Sequence, residues 1–355
     1  MAYFKSGIIM SSGHNKMVSA LAGFFLFIFA SGLQAAQFSE AVRRFDSGNE
    51  SSARHDRAGD PAPWADLRRL RVRYYDGGDP RIKKDETLER YIRAAKRGDA
   101  RSQYILGVLY LNGKGVARDS AKAVSWFQKA AGQGYAQAQN NLGIAYDKGD
   151  GVPQDHAKAI DMFTRAADQG YAGALYNLGV SYETGEGVSQ DWAKAASLYT
   201  TAALQNHLQA QYNLGVLYKT GRGVPLDYEM AASYFLKSSV QGHARALNNL
   251  GIAYGKGEGV PQDVAKAAAL FTRAAEQGHS EAQINLGIAH IKGEGVARDA
   301  VLAHMWFSLA AAQGRENAVR MQKRVARYMP PELIAEAQRM AREWTPSHRA
   351  PPVWQ

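Results

Sequence analysis

His207, His243 and His279 are the side chains in this 355-residue chain best suited by type to bind a metal or move a proton, and they stand 36 residues apart. Six aspartates, Asp119, Asp155, Asp191, Asp227, Asp263 and Asp299, recur at the same interval. Histidines with a carboxylate could hold zinc, and paired carboxylates could act as general acid and base, but only if the fold gathers them. Repetition argues against gathering. Equivalent positions in successive units lie on the order of 10 Å apart, about the width of a packed helix, whereas ligand nitrogens must lie about 2 Å from one ion. Catalytic carboxylate pairs stand about 5–9.5 Å apart. The histidines also share their column with Tyr135 and Tyr171, as a structural or surface position would. The chain has no His-Glu-x-x-His, no Gly-x-Ser-x-Gly, no Gly-x-x-x-x-Gly-Lys-Ser/Thr and no cysteine. Zincin, nucleophile-elbow and phosphate-loop chemistry thus lack their signatures, while thiol catalysis and disulfides are excluded. No catalytic, cofactor or metal residue is assigned.

The elements that position these residues follow from the same period. Leu106-Gly107, Leu142-Gly143, Leu178-Gly179, Leu214-Gly215, Leu250-Gly251 and Leu286-Gly287 recur without insertion, each followed by Tyr110, Tyr146, Tyr182, Tyr218, Tyr254 or His290. A fixed period of 20–50 residues marks a solenoid, whose units bury their apolar faces against one another. Within one unit, Ala138, Leu142, Ala145 and Tyr146 recur at helical spacing and predict a helix A over Ala136–Lys148. Gly149-Asp150-Gly151-Val152 ends it with a sharp reversal. Each repeated aspartate then stands where a side chain caps the free amides of a helix B. Helix B carries Ala159, Met162, Phe163, Ala166 and Ala167 on one face and stops at Gly170; Asn206 takes that glycine's place in one copy. Phe127, Phe163, Tyr199, Phe235, Phe271 and Phe307 are expected to fill the space between repeats.

Leu-Gly-x-x-Tyr, then Gly-x-Gly-Val-x-x-Asp, then Ala-x-x-(Trp/Leu/Met/Tyr)-(Phe/Tyr)-x-x-Ala-Ala-x-x-Gly resembles the Sel-one-like repeat, a relative of the tetratricopeptide repeat. The resemblance implies an all-α, right-handed superhelical solenoid of antiparallel helix pairs. It covers six repeats over 106–314. A degenerate copy over 64–105 aligns Leu70, Tyr74, Gly77, Ala94, Ala95 and Gly98 with the repeat pattern and reads as an N-terminal cap. Glu316–Tyr328 is helical and basic, and Pro330-Pro331 starts a last helix reaching Trp344. Residues 315–345 therefore read as closing helices, with 346–355 as a tail.

Lys5 and Lys16 precede an apolar run from Met17 to Ala30 and the small residues around Ala35 and Ala36. This is the pattern of a secretory signal peptide over 1–36, cleaved near Ala35/Ala36. An uncleaved membrane anchor is the alternative, and it is the only route to a membrane read from the sequence. Residues 37–63 are poor in apolar groups and read as a linker. A periplasmic or secreted location follows as the expectation. The net charge of +10 is uneven: residues 106–314 hold 17 basic and 17 acidic side chains, while 315–355 hold 8 and 4. A neutral array on an exported chain is not a nucleic-acid footprint.

Solenoids offer long surfaces, so the partner is expected to be a protein of unknown identity. By resemblance to tetratricopeptide arrays the A helices line the concave side. There the variable columns are Tyr104, Asn140, Tyr176, Tyr212 and Asn248, and one turn earlier Arg101, Gln137, Gln209 and Arg245. Aromatic and amide groups can hold an extended peptide through apolar area and hydrogen bonds. The alternative is that the tyrosines pack against the preceding repeat. Asn141, Asn177, Asn213, Asn249 and Asn285 are read as structural, bonding loop carbonyls of a neighbour. The resulting expectation is a non-catalytic envelope scaffold; the resemblance implies that bacterial relatives act in envelope signalling, exopolysaccharide export or host interaction through protein contacts. Two alternatives stand beside it: a β-lactam-interacting hydrolase-like repeat protein, after the cysteine-rich relatives, and an envelope-polymer binder working through its basic ends.

Overall fold

Short apolar stripes broken by capping aspartates and paired glycines give short helices of nearly uniform length. A computed structural model describes residues 84–346 as fifteen α-helices, with no strand among the described residues. They are α1 (Lys84–Lys96), α2 (Ala100–Asn112), α3 (Ser120–Gly132), α4 (Ala136–Lys148), α5 (His156–Asp168), α6 (Ala172–Thr184), α7 (Trp192–Leu204) and α8 (Leu208–Thr220). There follow α9 (Tyr228–Val240), α10 (Ala244–Lys256), α11 (Val264–Glu276), α12 (Ser280–Lys292), α13 (Ala300–Ala312), α14 (Glu316–Ala326) and α15 (Pro331–Glu343). Even-numbered helices from α2 to α12 are A helices, and their successors are B helices. Each helix from α1 to α13 packs on the next in the chain, and α15 returns onto α13, so the architecture is an α-solenoid. The first A helix begins at Ala100, which places Arg101 and Tyr104 in the first full repeat. The expected signal segment, linker, first half of the N-terminal cap and most of the tail lie outside the described residues. None of the described helices is long and apolar enough to cross a membrane.

The expected caps are in place. Asp155 accepts a hydrogen bond from the Lys158 amide at 3.0 Å, and Asp299 accepts from Val301 and Leu302 at 2.8 and 2.9 Å. Asn206, with φ of 60°, is the one non-glycine residue in the left-handed region among those described.

Two glycines per repeat have a second reason to exist. A Cβ on Gly143 would lie 2.6 Å from the Phe163 ring, so the Leu-Gly pair is where the aromatic residue of helix B rests on the backbone of its own helix A. A Cβ on Gly151 would lie 2.5 Å from the Ser120 carbonyl, in the first turn of the preceding helix B. The loop glycine therefore permits contact between repeats as well as a turn. Buried Leu106, Leu142, Leu178, Leu214, Leu250 and Leu286 complete the stack. Removing one such ring, as in Phe163→Ala, would cost about 3–5 kcal/mol.

Candidate partner-binding surface

On each A helix from α4 to α12 the buried side chains leave one open stripe, whereas on α2 the matching Ile105 and Val108 are buried. In α4, Ala138, Gln139, Asn140, Leu142, Gly143 and Ala145 are buried, whereas Gln137, Asn141 and Ile144 are half-buried and Lys148 is exposed. Their spacing of four, three and four residues puts all four on one side of the helix. Repeated along the chain, the stripe carries a row of amides, Asn141, Asn177, Asn213, Asn249 and Asn285. Beside it runs a row of branched aliphatics, Ile144, Val180, Val216, Ile252 and Ile288. Both rows are half-buried throughout.

The asparagines do not reach loop carbonyls, as the sequence reading had it. Asn177 Nδ2 donates to Asn140 Oδ1 at 2.9 Å, Asn285 to Asn248 at 2.9 Å, and Asn249 to the Tyr212 hydroxyl at 3.4 Å. Each bond spans 37 residues, from one A helix to the residue beside its counterpart on the A helix before. A side chain on a helix flank is closer to the adjacent parallel helix than to any loop, so this ladder is the shorter connection.

The residues expected to line the partner surface separate accordingly. Asn140 and Asn248 are 5% and 7% exposed and use their amides inside the ladder. Tyr104, Tyr176 and Tyr212 are half-buried. Their rings lie 6.0, 5.8 and 6.0 Å from Phe127, Tyr199 and Phe235 of the same repeat. They also lie 5.3, 4.9 and 4.8 Å from Tyr135, His207 and His243, which open the following A helix. The tyrosines thus bridge forward, whereas the alternative reading had them packing on the preceding repeat. Burial raises the Tyr104 and Tyr176 hydroxyls, and Glu183 adds to the effect at Tyr176. Gln137, Gln209 and Arg101 are partly open, and Arg245 is exposed.

The histidine column has a role that the sequence reading missed. His207 and His279 cap α8 and α12 through Nδ1, which accepts from the Ala210 and Ala282 amides at 3.3 and 3.2 Å. His243 opens α10, but its buried Nδ1 has no hydrogen-bond partner. Burial pushes all three down to about 4 and keeps them neutral at pH 7; Arg245 contributes at His243 and His279. No group of three or more histidine, aspartate or glutamate side chains among the described residues could hold a metal ion. The signal that could have identified the two caps was available: His207 and His279 each stand immediately before a helix A and three residues before the amide they bind.

A second seam was also missed. Gln133, Gln169, Gln241 and Gln313, each just past a helix B, donate to Gln103, Gln139, Gln211 and Gln283 at 2.7, 2.7, 2.9 and 3.0 Å. Gln103 in turn donates to the Ala95 carbonyl of the preceding helix B. Where Leu175 replaces the acceptor, Gln205 turns to the Gly170 carbonyl at 2.9 Å.

The profile of the Sel1 repeat matches residues 100–135, 136–171, 172–207, 208–243, 244–279 and 280–314, which is more than half of the chain. The chain belongs to the Sel1 repeat family. Among solved structures of Sel1 type it is similar to c5321, a protective antigen present in uropathogenic Escherichia coli strains and displaying an SLR fold. Identity is 34% and TM-score 0.65, over 72% of this chain and 56% of that one. The chain thus spans little more than half of that protein's length. It is also similar to a Sel1 repeat protein from Oxalobacter formigenes, with 26% identity and a TM-score of 0.57 over 63% and 96% of the two chains. No curated protein matches. Sel1 repeat proteins are generally non-catalytic scaffolds for protein–protein interaction.

Proposed function

We propose that this Sel1 repeat protein is a scaffold that holds an extended segment of a partner protein along its A-helix stripe, in an envelope compartment reached through the N-terminal segment. The observation that carries the reading is the paired row of half-buried asparagines and branched aliphatics through five successive repeats. An extended polypeptide offers alternating backbone polar groups and side chains. An amide row beside an apolar row can satisfy both. Asparagines already fixed in a ladder lose little freedom on binding, which favours affinity.

The test places a photo-crosslinker at Val216 on the stripe and, as a control, at Ala193 on the exposed side of α7. A partner captured from Val216 and not from Ala193, then lost in Val180→Glu/Val216→Glu protein of unchanged helicity, is the expected result. An identical captured set in the double variant would reject the stripe. Export is tested separately: the mature N-terminus should begin near Ala36 or Gln37, and an intact Met1 terminus on the envelope protein would refute cleavage.

A further inference from the structure

The closing helix α14 has a face that the scaffold does not use. Ala318, Met321 and Val325 pack it against α13. Arg320, Lys323, Arg324 and Arg327 follow the spacing i, i+3, i+4, i+7 and form a stripe on the opposite side, all four exposed. Two arginines nearby are paired, Arg315 with Glu281 at 3.3 Å and Arg339 with Glu343 at 3.2 Å. No salt bridge joins any of the four stripe residues to a carboxylate among the described residues. Glu316 opens the stripe at its N-terminal end and is the one acidic side chain on that face. Directly after Arg327 comes Tyr328, which is 86% exposed, and Leu333 beyond it is 39% exposed. Four exposed cations beside an exposed aromatic ring give this end a positive and partly apolar surface that the neutral central array lacks.

We propose that this face docks the protein on an anionic lipid surface. The cations would sit among phosphate headgroups, and Tyr328 would enter the boundary between headgroups and acyl chains. Charge alone would fit any polyanion; the exposed ring selects lipid. An aromatic side chain with a polar tip gains most at a membrane interface, which supplies an apolar layer that a soluble polymer lacks. The inference does not depend on the A-helix stripe, which lies on other helices and would remain free to hold its partner.

The full chain is sedimented with vesicles of phosphatidylcholine alone and of phosphatidylcholine with about one third phosphatidylglycerol. Each basic side chain near such a surface strengthens binding roughly fivefold. Arg320→Gln/Lys323→Gln/Arg324→Gln/Arg327→Gln protein should therefore bind the anionic vesicles roughly several hundredfold more weakly at low salt, with unchanged helicity. Tyr328→Ser should weaken binding severalfold on its own. Wild-type binding should fall steeply as salt rises. Any apolar attachment through the N-terminal segment would appear equally on both vesicle types and in every variant. Anionic-vesicle binding that survives the quadruple substitution would overturn the proposal. Retention on dextran sulfate without preference for anionic vesicles, indifferent to Tyr328→Ser, would reject lipid in favour of a soluble polyanion.

Discussion

Gly143→Ala tests the central packing claim because two known effects oppose each other at that position. Glycine in a helix interior is about 1 kcal/mol less favourable than alanine, so propensity alone would make the change stabilising. The new methyl group, however, would stand 2.6 Å from Cε1 and 2.7 Å from Cδ1 of Phe163. Carbon atoms prefer about 3.5–4.0 Å, so the ring or the helix must give way by about an ångström. Phe163 is 3% exposed and sits in a cluster with Ala159 and Leu178, so the ring is enclosed. Overpacking of this kind costs about 1–3 kcal/mol. The balance is a net destabilisation of about 1 kcal/mol. Gly255 supplies the control: a Cβ there meets only the Ala267 Cβ at 3.7 Å, an ordinary contact. Gly255→Ala should therefore stabilise by about 0.5–1 kcal/mol. Urea unfolding followed by circular dichroism gives both midpoints. In the double variant Gly143→Ala/Phe163→Leu the smaller side chain relieves the clash, so its cost should fall below the sum of the single changes by about 1 kcal/mol. If Gly143→Ala raises the midpoint as far as Gly255→Ala does, the aromatic ring is not what requires the glycine.

Other outcomes follow from individual contacts. Asp299→Ala removes the acceptor for two first-turn amides and should cost about 1–2 kcal/mol in thermal unfolding, whereas Asp299→Asn should be close to neutral. His207, His243 and His279 are depressed to about 4 in the fold. The unfolded chain binds their protons from about pH 6.5 downward, so their contribution is complete above 6.5 and is lost as pH falls from 6.5 through 4. Allowing for partial exposure, the loss is about 1–2 kcal/mol per histidine. Melting at pH 7 and 4.5 should show it, and His207→Asn/His243→Asn/His279→Asn protein should show a flatter profile; an unchanged slope would reject the assignment. Tyr199, whose hydroxyl donates to Glu183 at 2.5 Å, occupies a column that is phenylalanine in the other five repeats. Tyr199→Phe should thus change stability by no more than about 1 kcal/mol, because the site already fits the bare ring.

Much of the fold was readable because a repeat presents the same residue to the same surroundings six times. Asp155 preceding Ala159 and Phe163 announced a capped helix, and Asn206 in a glycine column announced the left-handed turn found there. Helix A was read over Ala136–Lys148, and α4 has those bounds. The contacts between repeats were not readable. A constant glycine looks the same whether it permits a turn, as at Gly149, or admits a neighbour's backbone, as at Gly151. The glutamine seam, spanning 30 residues within a repeat, leaves no local signature at all.

The proposed binding face was the hardest to read, because a helix turns its side chains by about 100° per residue. Position 140 varies between copies and seemed free to specify a ligand, but it lies on the flank where one A helix meets the next. Position 141 hardly varies and seemed purely structural, yet it lies on the open stripe. Variation in the first column reflects different ways of filling one gap: tyrosine reaching two neighbouring rings, asparagine completing an amide pair, or, in the last copy, the buried Ile284. Constancy in the second reflects a donor that either polar filling can use. A residue that must serve the ladder and also faces outward is held constant by the scaffold. An amide row of this kind therefore suits the backbone of a bound segment, which is the same for any sequence. On the proposed reading, discrimination between partners would fall to the column beside it, where Gln137, Gly173, Gln209, Arg245 and Glu281 differ in size and charge from one repeat to the next. Exchanging Gln209 and Arg245 would shift the local charge by one repeat without touching the asparagines or the Glu281–Arg315 pair. If specificity lies there, the exchange should change which segment is held and leave the melting temperature close to that of the native chain.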